Sequence, residues 1–121
     1  MNQVLNMEVV EELISLSDDG NPELLLELIE IFLSDTPTKV EAIVQGAEAA
    51  DFHAMERAAH SLKGSSGNLG AQCLQESCER MQYASRAEQL EISRSLAERI
   101  VRDFEAAKVA LVELRDRLQA G

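Results

Sequence analysis

The chain has 121 residues and a mass of 13.3 kDa, a size that points to a single domain spanning residues 1–121. Hydrophobic residues make up 45% and aromatics only 3%, so the apolar mass sits in Leu, Ile, Val, Ala and Met, which favours helix over sheet. Lys and Arg total 11 against 22 Asp and Glu, a net charge of −11. That sign argues against nucleic acids and anionic membrane surfaces as partners.

The richest apolar stretch, Leu24 to Leu33, is interrupted by Glu27 and Glu30 and is too short to span a bilayer. The run from Met1 to Glu8 has no positive segment ahead of an apolar core, so it does not read as a signal peptide. Cys73 and Cys78 match neither a zinc nor a redox spacing. They read as two reduced thiols in a cytoplasmic protein.

Helix is expected throughout. Val10, Leu13 and Ile14 mark a short amphipathic stretch from about Asn6 to Leu16, broken by Asp18-Asp19-Gly20-Asn21. Asn21-Pro22-Glu23 is a start signal, a capping side chain followed by Pro in the first turn. Leu25, Leu28, Phe32, Thr36, Val40, Ile43 and Ala47 then recur at helical spacing. Pro37 lies inside this run and either kinks the helix or ends it, with Asp35 or Thr36 capping a restart. The unbroken periodicity favours one kinked helix.

Asp51 can cap a third helix whose inner face carries Phe52, Met55, Ala59, Leu62, Ser66 and Leu69, with Gly70 as its stop. A fourth, from about Ala71 to Ala84, turns Leu74, Cys78 and Met81 inward. The last and longest has a seam of Leu90, Ser93, Ala97, Ile100, Phe104, Ala107, Leu111, Leu114 and Leu118. The expected fold is all-α: an antiparallel four-helix bundle with a short additional N-terminal helix.

One run stands apart from this pattern: His60-Ser61-Leu62-Lys63-Gly64-Ser65-Ser66-Gly67-Asn68-Leu69-Gly70. Gly64 and Gly67 sit inside a helix of otherwise good formers, each at a cost on the order of 1 kcal/mol relative to Ala. On a wheel with Phe52 at zero, the inner face points to roughly 310°. His60 falls near ~80°, Gly64 near ~120°, Gly67 near ~60° and Lys63 near ~20°. The imidazole thus points to solvent beside a track bare of side chains, with an ammonium one turn away. An exposed neutral imidazole is a good nucleophile toward phosphorus, and a phosphoryl group on it needs open space and a positive neighbour. The plain alternative is a surface His beside a local weakness in the helix.

The run resembles the signature of histidine-containing phosphotransfer (HPt) domains, His-x-Leu-Lys-Gly with a further Gly downstream. The resemblance extends to chain length, helix order, the motif's place on the third helix and the acidic charge. It implies that His60 carries the phosphoryl group, that Lys63 is its charge partner and that Gly64 gives steric clearance. It also implies a Gln on the next helix that orients the imidazole. Gln82 is the candidate, its amide oxygen accepting from the ring N–H. The partners implied are response-regulator receiver domains, a hybrid sensor kinase, or both. The receiver supplies Mg²⁺, so no cofactor or metal is expected on this chain, nor any kinase activity of its own. A monomer in the cytoplasm is expected. Val9 and Leu13 are candidates for an exposed apolar docking patch.

Around the motif, His53 reads as a surface residue, Ser65 as a candidate phosphate contact, and Ser66 as an inward space-filler. Arg57, Arg80 and Arg86 read as unpaired surface charges that can rim the docking face. Two competing readings remain. One is a non-catalytic helical interaction module that docks receivers or other signalling proteins without being phosphorylated. The other is a metal-binding bundle, disfavoured because His53 and His60 lie about 10.5 Å apart along the helix. The chain is either a free-standing carrier or a piece of a larger sensor kinase. Met1 leading directly into bundle sequence, and Gly121 directly after the last helix, are what a complete small protein would show, and an excised piece would look the same.

Overall fold

The computed structural model describes residues 4–16 and 20–120. Five helices and no strand occur among them: α1 (Met7–Ser15), α2 (Glu23–Ala49), α3 (Phe52–Asn68), α4 (Gln72–Arg86) and α5 (Leu90–Ala120). α3 packs between α2 and α4, and α5 packs against both α4 and α2, which closes a four-helix ring; α1 rests on α2. This is the antiparallel bundle with an extra N-terminal helix that the periodicity predicts. Of the break expected at Asp18-Asp19-Gly20-Asn21, Asp18 and Asp19 lie outside the described residues, as do Met1 and Gly121.

The caps form where polar side chains precede apolar periodicity. Asn6 accepts from the Glu8 amide at 3.0 Å, Asn21 from Glu23 at 3.1 Å and Asp51 from Ala54 at 3.0 Å. Each satisfies an amide that the first helical turn cannot pair. α2 runs unbroken through Pro37, which sits on its exposed face. The Thr36 hydroxyl, buried beside it, donates to the Phe32 carbonyl. Ala50 adopts left-handed backbone (φ 54°) at the end of α2, and the Asp51 amide closes the turn on the Gly46 carbonyl at 2.8 Å.

The core follows the predicted faces. Met55, Ala59, Leu62, Ser66 and Leu69 of the α3 region are buried, as are Leu74, Cys78 and Met81 of α4 and most of the α5 seam from Ser93 to Leu114. Leu28, Phe52, Leu90 and Leu118, expected on inner faces, are half-buried at the margins. Gly70 ends the α3 region in left-handed backbone (φ 73°), and its carbonyl accepts from the Asn6 amide at 2.7 Å. A Cβ there would stand 2.9 Å from the Asn6 carbonyl oxygen. This close approach seats the N-terminal segment on the bundle.

The docking patch expected on α1 does not exist in the expected form. Val9 packs over Gly70, and Leu13 is half-buried against the core. The exposed apolar side chains of α1 and the adjoining end of α2 are instead Met7, Leu16, Leu24 and Ile31. The reason is the seating of α1, which turns Val10 fully inward and half-buries Val9 and Leu13 beside it.

Candidate functional site

α3 lies beside α4 in a register that brings four pairs of residues together. Arg86 Nε stands 3.5 Å from Glu56 Oε2, Gln82 Nε2 stands 3.0 Å from His60 Nδ1, and Lys63 Nζ stands 3.7 Å from Glu79 Oε1. Gly67 faces Gln75. The two residue numbers of each pair have the same sum, the mark of antiparallel helices in one register. His60 is exposed and occupies the second rung.

Gln82 is 8% exposed, held at the edge of the core next to Met81. Its amide nitrogen, rather than the expected oxygen, faces Nδ1. In that orientation the amide donates to the Nδ1 lone pair and the ring proton sits on Nε2. Turning the amide end for end fills the same space and places Oε1 against Nδ1. The ring then carries its proton on Nδ1, and the Nε2 lone pair faces solvent. Only this second state has a nucleophile at the exposed nitrogen.

The glycines divide. A Cβ at Gly64 would meet nothing within 4 Å, so the helix surface one turn from His60 is open. Gly67 is not part of the bare track: its Cβ would stand 2.8 Å from Gln75 Nε2. The wheel misplaced it because a wheel shows one helix, and the α4 side chain that fills the space belongs to another.

Lys63 is half-exposed and paired with Glu79 rather than standing alone beside His60. Arg86, read as unpaired, pairs with Glu56, while Arg57 and Arg80 are exposed. Ser65 turns toward α2, where it accepts from Lys39 Nζ at 3.1 Å and donates to the Ser61 carbonyl. Ser66 is buried and donates to the Leu62 carbonyl at 2.6 Å. His53 is exposed. Sequence reasoning missed Glu56, Glu79 and Gln75. The register that pairs His60 with Gln82 would have found all three, had it been extended along α4. Among the described residues no group of three or more His, Cys, Asp or Glu is placed to hold a metal ion.

The site is thus an exposed imidazole on α3, braced by a buried amide from α4 and lying one turn from open helix surface at Gly64. The Hpt domain model matches residues 27–120, and the chain belongs to the Hpt domain family. The fold is similar to the crystal structure of histidine-containing phosphotransfer protein B (HptB) from Pseudomonas aeruginosa PAO1. The TM-score is 0.85 at 26% identity, covering 97% of this chain and 98% of that one. Histidine-containing phosphotransfer protein 4 of Arabidopsis thaliana is 29% identical over 110 residues, 89% of this chain and 81% of that protein. Multistep phosphorelay regulator 1 of Schizosaccharomyces pombe is 25% identical over 111 residues. That match takes in 91% of this chain but spans only 38% of the yeast protein.

Proposed function

We propose that the chain relays a phosphoryl group through His60 between phospho-aspartate receiver domains of a phosphorelay. The observation that carries this is the exposed His60 ring, braced at Nδ1 by Gln82 at 3.0 Å, beside the open surface at Gly64. A loose phosphoryl-transfer transition state asks a protein for position and charge more than for covalent chemistry. This chain supplies position. With Gln82 Oε1 accepting the Nδ1 proton, the Nε2 lone pair points at an incoming phosphorus. The P–N bond forms as the acyl phosphate P–O bond breaks, and the electron pair leaves with the aspartate carboxylate. The Nδ1 proton stays on the ring, shared with Gln82. Gly64 leaves room for the phosphoryl oxygens, and Lys63 supplies positive charge.

The partner in this reading is a receiver domain, alone or within a hybrid sensor kinase, and Mg²⁺ belongs to that partner. The chain is a carrier with no kinase activity, a monomer and cytoplasmic. No helix among the described residues is long and apolar enough to cross a membrane. Incubation with radiolabelled phospho-receivers tests the reading. The wild type should take up label. His60→Gln should take up none while melting close to the wild type, since the exposed position gives up no core contact and the new amide can still pair with Gln82. Label on the Gln variant would remove His60 from its role. A wild type that binds receivers and never takes label would establish a non-catalytic docking module instead.

A further inference from the structure

The rungs on either side of His60 are both ion pairs, and each spans the same two helices: Lys63 with Glu79, Arg86 with Glu56. The Lys63 ammonium, on the motif's own helix, already has a carboxylate partner in the unphosphorylated chain. That partner sits on α4, one turn from Gln82. Both side chains are well exposed, 36% for Lys63 and 46% for Glu79, and the separation of 3.7 Å is long for a hydrogen-bonded pair. An exposed pair of this kind is weak and exchanges partners readily. A phosphoryl group on Nε2 offers three strong acceptor oxygens and nearly twice the charge of a carboxylate.

We propose that Glu79 is a positioning residue that competes with the phosphoryl group for Lys63 and so sets how long phosphohistidine survives on His60. This rests on the reading of His60 as the phosphoryl acceptor. In the resting chain Glu79 holds the ammonium toward α4. On phosphorylation Lys63 changes partner. The dianion holds its full charge in the ground state and shares it with the leaving group in the loose transition state. An ammonium therefore stabilises the phosphorylated state more than the transition state for its loss. Glu79, by drawing Lys63 back, keeps the phosphoryl group labile. Such lability suits a carrier, which must pass the group on as readily as it accepts it.

The test uses the full chain phosphorylated with phosphoramidate, which needs no partner protein. Its P–N bond breaks as the new P–N bond to Nε2 forms, and ammonia leaves. The half-life of phosphohistidine is then followed in buffer for the wild type, Glu79→Gln, Lys63→Met and the double variant. Glu79→Gln should lengthen the half-life about threefold, within the reach of one weak exposed pair. Lys63→Met should shorten it, and adding Glu79→Gln to Lys63→Met should change nothing further, with melting temperatures alike throughout. A Glu79→Gln half-life equal to that of the wild type overturns the inference. So does a lengthening that persists in the Lys63→Met background, since it would show direct repulsion between Glu79 and the phosphoryl group. A labelled wild type with either of these results leaves His60 in place and removes only Glu79. A wild type that takes no label removes both.

Discussion

The imidazole of His60 and the amide of Gln82, 22 residues apart in the chain, meet at 3.0 Å between α3 and α4. Because Gln82 is buried and His60 exposed, the contact braces the ring from its inner side. Gln82→Leu keeps the volume and deletes the polar brace. Phosphoryl uptake should fall about tenfold, equivalent to about 1.4 kcal/mol of barrier. Nitrogen NMR of the ring should show the proton moving toward Nε2. Ring shifts identical to those of the wild type would show that Gln82 does not set the tautomer.

Gly64 and Gly67 should respond differently to added side chains. Gly64→Gln gains helix propensity, worth several tenths of a kcal/mol, and its Cβ meets nothing within 4 Å. Its melting temperature should hold or rise, while transfer to a receiver falls at least about tenfold because the new side chain fills the approach to His60. Gly67→Ala meets only the mobile end of Gln75, so it should change stability by less than about 1 kcal/mol and leave transfer intact. Normal transfer by Gly64→Gln would show that the open surface has no part in the reaction.

Gly70 has the opposite character. Its φ of 73° and the Asn6 carbonyl oxygen 2.9 Å from an added Cβ leave no room for a side chain. Gly70→Ala should lose about 2 kcal/mol, as strained left-handed backbone and a backbone clash together require. Hydrogen exchange should also show the Asn6 amide losing its protection, since its acceptor is the Gly70 carbonyl. Wild-type stability and protection would mean that the N-terminal segment does not depend on this contact.

Burial, and after it the Asp103 carboxylate, pushes the Cys78 thiol from its ordinary 9.0 up to about 12. Between those values the unfolded chain has lost a proton that the folded chain keeps, so rising pH favours unfolding. The stabilisation is intact below about pH 9 and disappears as the pH climbs toward 12. The free energy of urea unfolding should therefore fall more steeply above pH 9 in the wild type than in Cys78→Ala. The difference in slope should reach at most about 1.4 kcal/mol per pH unit. Parallel curves would show that Cys78 titrates alike in both states.

Local chemistry made much of this molecule legible from residues alone. Apolar spacing placed the inner faces of α3 and α4, because a helix that must bury one stripe repeats its apolar residues every three or four positions. Asn21 and Asp51 announced helix starts, because a short polar side chain ahead of such a stripe satisfies amides that the helix cannot. The exposure of His60 and the clearance at Gly64 followed from angles within a single helix. What one helix cannot encode is the neighbour it meets. That Gly67 makes room for Gln75, that Lys63 and Arg86 already hold carboxylates, and that Val9 covers Gly70 were decided by helix packing alone. The register between α3 and α4 results from burying Leu62, Leu74, Cys78 and Met81 in one core, and every charged pair around His60 follows from it.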